Sequence, residues 1–343
     1  MTGGRAFYQV PVAEVVAETD QACSLVLDVP PELTGAFAYR PGQFLTVRVP
    51  LPDGGSVARC YSLSSSPQAG DRPAVTIKRM PSGYASNWIA DHVTAGTVLD
   101  LLPPAGTFTP RSLGADFLLL AGGSGITPVM SILRSALAAG RGKVVLIYAN
   151  ADERSVIFAA RLRELQAAEP DRLIVLHWLD VLAGPPTATA LRELARPYAA
   201  HDAYICGPDP YMAVAREALR DLGVPAQRVH VERFLSLAEN PFEAPEEPAG
   251  GGVAAALEVE LDGAVHRLDW PGGRRMLDVM IDAGLAASYS CREGICGACA
   301  CRLISGEVEM AHNEVLEKED LDEGYILACQ SLALTPEVTV SYD

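Results

Sequence analysis

The chain has 343 residues, enough for two or three domains. Its 27 Lys and Arg against 43 Asp and Glu leave a net charge of −16, which excludes a protein that wraps nucleic acid or lies on anionic lipid. With 49% hydrophobic and 20% charged residues, the chain is not disordered overall.

The charge is unevenly spread. Residues 1–235 carry −1, residues 236–252 carry −4 and residues 253–343 carry −11. A step this sharp points to a separate C-terminal module with its own partner. The start, MTGGRAFYQV, has no apolar run behind a basic one. The apolar stretch from Phe117 to Leu133 is broken by Gly122, Gly123, Gly125 and Pro128, so it is too interrupted to span a bilayer. The expectation is a cytoplasmic protein away from membranes.

Residues 1–112 read as short strands with turns: Ser24–Val29, Gln43–Val49, Arg59–Ser64 and Ala74–Lys78, with one helix near Ala85–His92. That spacing predicts an antiparallel barrel or sandwich. Residues 113–235 alternate strand and helix. Strands are predicted at Phe117–Ala121, Val144–Ala149, Leu173–Trp178, Ala203–Cys206 and Val229–Glu232. Helices fall at Thr127–Ala139, Val156–Ala168, Ala188–Ala195 and Pro208–Leu222. Repeated βα units predict an α/β domain with a parallel sheet, whose ligands bind beyond the strands' carboxyl ends. Residues 236–252 have the Glu, Pro, Ala and Gly content of a linker. Residues 253–343 resume with a hairpin-like LEVELDGAVHRLDW, a helix near Met276–Ala283, a Cys-rich loop and a last strand at Glu337–Ser341.

Five of the eight Cys lie after residue 290. Cys291, Cys296 and Cys299 form C-x4-C-x2-C, and Cys329 follows after 29 intervening residues, the plant-type [2Fe–2S] spacing. Gly294 and Gly297 let the chain curl closely around such a cluster. Structural zinc brings its ligands in two close pairs along the sequence, which this spacing does not. Cys301 is a fifth neighbour, read as a small buried residue. The segment YSCREGICGACACRL with ILACQS makes residues 253–343 resemble a plant-type ferredoxin domain.

Upstream, Arg59-Cys60-Tyr61-Ser62 lies on a strand before LSSSP, and Gly83 and Ser86 open a helix, a natural phosphate seat. The turn Gly122-Gly123-Ser124-Gly125-Ile126-Thr127-Pro128 joins strand to helix but is neither G-x-G-x-x-G nor a P-loop. Cys206-Gly207-Pro208 makes a second strand-to-helix turn. Together these motifs resemble the ferredoxin–NADP reductase family over residues 8–234. With the ferredoxin-like segment appended, RCYSLSSSP, SNWIADHV, GGSGITPVMSIL, VHVERF and VSYD resemble reductases of multicomponent oxygenases, the group serving bacterial 3-ketosteroid 9α-hydroxylation among them.

The resemblance implies an FAD-binding β-barrel at 1–112, an NAD(P)-binding domain at 113–235, a linker at 236–252 and an α+β, β-grasp-like [2Fe–2S] domain at 253–343. Arg59 would contact the flavin pyrophosphate, Tyr61 the isoalloxazine and Ser62 the region of N5, with Cys60 beside them. Ile77 and Lys78 would line the ribityl chain, and Gly83 and Ser86 would bind the pyrophosphate, which implies FAD over FMN. Gly122, Gly123, Gly125, Ile126 and Thr127 would bind the dinucleotide. Cys206, Gly207 and Pro208 would line the nicotinamide pocket, and Glu232 and Phe234 would close the flavin site. Ser62, Thr127, Cys206 and Glu232 are thus placed at the hydride-transfer centre.

After the second strand of the sheet comes Asn150-Ala151-Asp152-Glu153. Asp152 or Glu153 would suit a ribose diol, so charge reads NADH, while Arg154 and Ser155 leave NADPH open. The implied function is electron transfer from NADH through FAD and the cluster to a terminal oxygenase of Rieske type. Alternatives are the reductase of a di-iron monooxygenase of the phenylacetyl-CoA epoxidase type, or a redox-sensing module without turnover. The six His are scattered and read as structural.

Overall fold

The computed structural model describes residues 7–243, 251–316 and 318–342. Part of the predicted linker therefore lies outside the described residues. No helix among those described is long and apolar enough to cross a membrane.

Strands β1 (Tyr8–Thr19), β2 (Ala22–Leu27), β3 (Phe44–Pro50), β4 (Ser56–Ser62), β5 (Ala74–Lys78) and β6 (Val98–Ala105) form one antiparallel sheet, with helix α1 (Tyr84–His92) before β6. The strand order is β4-β3-β6-β1-β2-β5, and a bridge between Leu63 and Val75 joins the two ends. The sheet curls into a barrel. Strand alternation sends Leu45, Val47, Val49 and Tyr61 to the barrel interior. Phe44, Ala58 and Cys60 go to the opposite face, which is covered by the C-terminal module. This part of the sheet is therefore buried on both sides.

The second region holds β7 (Phe117–Gly122), α2 (Ile126–Ala139), β8 (Val144–Asn150), α3 (Ala159–Ala168), β9 (Leu173–Leu179), α4 (Asp180–Ala183), α5 (Ala188–Ala195), β10 (Asp202–Cys206), α6 (Asp209–Asp221) and β11 (Val229–Glu232). Its five strands are all parallel, in the order β11-β10-β7-β8-β9. The core of α2 and α3 lies on one face, and that of α5 and α6 on the other. Helix α3 starts three residues later than its sequence pattern predicts. Val156, Ile157 and Phe158 are buried, and Phe158 takes a left-handed φ of 63°, which no α-helix continues through.

The third region holds β12 (Ala255–Leu261), β13 (Ala264–Trp270), α7 (Met276–Asp282), β14 (Ala300–Ser305), β15 (Val308–Met310), α8 (Lys318–Asp322), β16 (Tyr325–Leu327), β17 (Ser331–Ala333) and β18 (Glu337–Ser341). The mixed sheet runs β13-β12-β18-β14-β16, with β12 and β18 parallel, and β15 pairs with β17. Helix α7 packs Met276, Leu277 and Met280 into its core.

Directional bonds hold the regions together. Ser131 Oγ donates to Ser65 O at 2.6 Å, Ser66 Oγ and Ser135 Oγ are 2.8 Å apart, and Arg134 grips Asp71 with both guanidinium nitrogens. The SSS run after β4 is thus the seat of helix α2. The described start of the linker is docked rather than free. Leu237 and Phe242 are buried, and Asn240 Nδ2 donates to Ser56 O at 2.8 Å.

Candidate functional site

On β4, Ser62 is buried while Arg59 and Tyr61 are half-buried on the other strand face. Cys60 turns away from Tyr61 and sits 3.5 Å from Thr46 Oγ1, and burial pushes its thiol up to about 12. The structure therefore directs Cys60 toward the cysteine loop rather than alongside Tyr61. Ile77 fills the barrel core, so only its backbone can reach a ligand. Lys78 instead reaches across: a Cβ added at Gly123 would lie 3.6 Å from its Nζ. Ser86 Oγ accepts from Met80 N at 3.1 Å and fastens the turn ahead of α1. Gly83 caps α1 with no side-chain bond, so the first-turn N–H groups stay open to an anion.

The turn after β7 is shaped by close backbone approach. A Cβ at Gly125 would overlap the Cys206 carbonyl, and one at Gly207 would lie 3.0 Å from Gly122 Cα. Glycine here brings the ends of β7 and β10 together into a cradle without side chains. Gly125 caps α2 with no side-chain bond, and the Ile126 N–H is taken by Gly123 O and Ser124 O in the short turn ahead of the helix. Thr127 is buried, its Oγ1 donating to Ser124 O at 3.1 Å. Ile126 packs into the core and can offer only backbone. Cys206 is fully buried, which drives its thiol well up.

At the carboxyl end of β8, Asn150 is 5% exposed and neither its Oδ1 nor its Nδ2 makes a hydrogen bond. Asp152, expected at a ribose, also caps the short turn that follows β8. Its Oδ1 accepts from Ser155 N at 2.9 Å, and Ser155 Oγ closes a capping box around the short turn. The sequence reading missed Asp180. It follows Leu179, the register partner of Asn150 at the end of β9, and its buried Oδ1 has no partner. The available signal was its place immediately after a parallel strand.

The cysteine loop pairs its thiols in twos. Cys291 contacts Cys296, and Cys299 contacts Cys329. The Cys296 thiol, with backbone N–H groups of Glu293, Ile295 and Cys296, pulls the Cys291 thiol down to about 6. Glu293 N reaches Cys291 Sγ at 3.3 Å, and Cys329 N reaches Cys299 Sγ at 3.5 Å. Two thiol pairs ringed by N–H donors fit two bridged irons. Among the described residues, no three metal-ligating side chains converge on a point as a single ion requires. Cys301 lies apart in the core of β14, and burial pushes its thiol up to about 12.

Flavin strand and cysteine loop share one cleft. It is lined by Cys60, Ser62 and Glu232 on one side, by Cys291, Ile295 and Cys296 on the other, and by Phe234 and Leu235 at its mouth. Burial pushes the Glu232 carboxyl up to about 8.

Three family profiles match the chain: an oxidoreductase FAD-binding domain at 10–109, an oxidoreductase NAD-binding domain at 119–217 and a 2Fe-2S iron-sulfur cluster binding domain at 259–334. The 3-ketosteroid-9-alpha-monooxygenase ferredoxin reductase component of Mycobacterium tuberculosis is 55% identical, over 98% of this chain and 96% of that one. One component of the 1,2-phenylacetyl-CoA epoxidase of Escherichia coli is 31% identical over 98% of both. Among solved structures, phthalate dioxygenase reductase aligns with a TM-score of 0.56 and 26% identity over 98% of each chain. The chain belongs to this family of modular electron-transfer reductases, and it is an oxidoreductase that uses FAD, NAD(H) and a [2Fe–2S] cluster.

Proposed function

We propose that this chain is the reductase of a 3-ketosteroid 9α-hydroxylating system, passing electrons from NADH to a terminal oxygenase of Rieske type. The observation that carries the route is the single cleft bounded by Ser62 and Glu232 on one side and Cys291 and Cys296 on the other. Bound flavin accepts a hydride and releases electrons singly, which a nicotinamide and a [2Fe–2S] cluster cannot do between themselves. The chain's residues arrange this exchange. Gly122, Gly125 and Gly207 admit the dinucleotide backbone, and Thr127 and Cys206 border the nicotinamide. The open first turn of α1, with Gly83 and Ser86, takes the flavin pyrophosphate together with Arg59. Phe234 and Leu235 shield the cleft from water. Steroid would bind the oxygenase, so no steroid pocket belongs here.

Support for NADH comes from Asn150 and Asp180. Their unpaired buried polar atoms at neighbouring strand ends suit a ribose diol. A 2′-phosphate there would meet the Asp180 carboxylate. Asp180→Ala is expected to raise the KM for NADH about tenfold and to narrow the preference over NADPH, as the loss of one charge-assisted hydrogen bond does. An unchanged KM ratio would remove this reading of the ribose site.

The whole proposal is tested by reconstitution. NADH should drive steroid 9α-hydroxylation when the protein is mixed with a Rieske oxygenase of that specificity. Support of a di-iron monooxygenase alone would favour the second reading, which the likeness to the epoxidase component carries.

A further inference from the structure

The flavin barrel meets the iron–sulfur module through an apolar sheet face: Phe44, Ala58, Leu102 and Ala105 pack into the same core as the cysteine loop. Apolar contact is non-directional, so it holds two bodies together without fixing their register. Electron transfer between two centres needs a fixed register. Besides the linker, which bonds Ser56 of the barrel and Glu293 of the module, one pair of side chains bridges the seam directly. Thr46 Oγ1, on the module-facing side of β3, lies 2.7 Å from Ser290 Oγ, immediately before Cys291. Thr46 is 0% exposed and Ser290 1%, and Thr46 Oγ1 also contacts Cys60 Sγ on the neighbouring strand. The line Cys60, Thr46, Ser290, Cys291 thus runs from the strand of Ser62 to a cluster-ligand position. A hydroxyl placed in an apolar interface costs stability unless it is paired, so each partner constrains the other.

We infer that the Thr46–Ser290 pair positions the iron–sulfur module on the flavin barrel and sets the rate of flavin-to-cluster electron transfer. This inference rests on the reading that both cofactors occupy the shared cleft. Neither residue belongs to the turns at 122–128 and 206–208 assigned to the dinucleotide, so the step before the cluster is independent of the pair.

The test uses the full-length protein carrying both cofactors, mixed anaerobically with NADH in a stopped-flow instrument. Flavin and cluster bleaching are followed as separate phases. Thr46→Val and Ser290→Ala should each slow the cluster phase about tenfold, the population shift that one unpaired buried hydroxyl produces. The flavin phase should stay within about twofold, since its reacting groups are untouched. Thr46→Ser should restore the cluster phase. The double variant should be no slower than either single one, because the pair acts as a unit. Hydrogen exchange of peptides covering residues 286–300 should rise in Thr46→Val and not in Thr46→Ser. The cluster midpoint potential should be unchanged in all variants.

A cluster phase that is normal in both Thr46→Val and Ser290→Ala would overturn the inference. So would a potential shift large enough to account for the slower phase, which would make the pair a tuner and not a positioner. Failure of the functional proposal looks different, since the wild-type protein would then show no cluster phase with NADH at all.

Discussion

The nucleotide turn at 122–128 and the cysteine loop at 291–299 both depend on glycine, with different weight on space and on backbone shape. At Gly125 the φ angle is ordinary, and the space is the constraint: the Cys206 carbonyl occupies the position of a Cβ. At Gly294 and Gly297 the backbone itself is left-handed, with φ of 78° and 70°, which curls the loop so that thiols and N–H groups face inward. The first site is made by removing side chains so that a ligand and two strands can share one space. The second is made by aiming side chains. Mutations should therefore act on the two in different ways.

Cys329→Ala should produce the largest effect. The cluster absorbance should vanish and transfer to protein acceptors should fall to background, while NADH still reduces the flavin. Loss of flavin reduction as well would show that the modules do not divide the work as described. Gly125→Ala comes next. The added methyl must displace the Cys206 backbone, so the KM for nicotinamide should rise at least about tenfold and stability should fall by about 2–3 kcal/mol. The cluster spectrum should stay intact; if it changes, the two sites are coupled through the fold.

The smallest effect concerns Glu232, which lies between them. Its pKa is raised by burial from 4.5 to about 8. Between those values the unfolded chain has lost this proton and the folded chain keeps it. Stability should therefore fall as pH rises from about 4.5 to about 8 and level off above. Glu232→Gln should flatten that slope in a thermal-unfolding series. A slope that persists would assign it to another group.

Much of this arrangement was legible in the sequence, because it rests on local rules. The cysteine spacing named the cluster type before any contact was known. The βα alternation gave a parallel sheet, and strand ends then located Gly122 and Cys206. What was not legible depended on contacts remote in sequence. Asp152 reads as a ribose ligand, and the bond its Oδ1 accepts from Ser155 N appears only in the fold. Asp180 carries no signal beyond its place after a strand, and its buried, unpartnered oxygen appears only in the fold. Cys60 reads as part of the flavin motif, and nothing near it in the sequence shows that it also borders the cysteine loop. The composition of residues 236–252 suggests a free tether, and nothing in it reveals that Leu237 and Phe242 are buried.

The sheet formed by β3, β4 and β6 is covered on both faces, and this constrains how such a protein can change over evolutionary time. A reductase body that lost its C-terminal module would present Phe44, Ala58, Leu102 and Ala105 to water as a ready-made sticky surface. Splitting the chain into two genes would demand resurfacing of that face in the same step. The fusion is in this sense hard to reverse, and partner choice is left to vary where the chain is still free to change, at exposed acidic residues of the iron–sulfur module such as Glu319, Asp322 and Glu323.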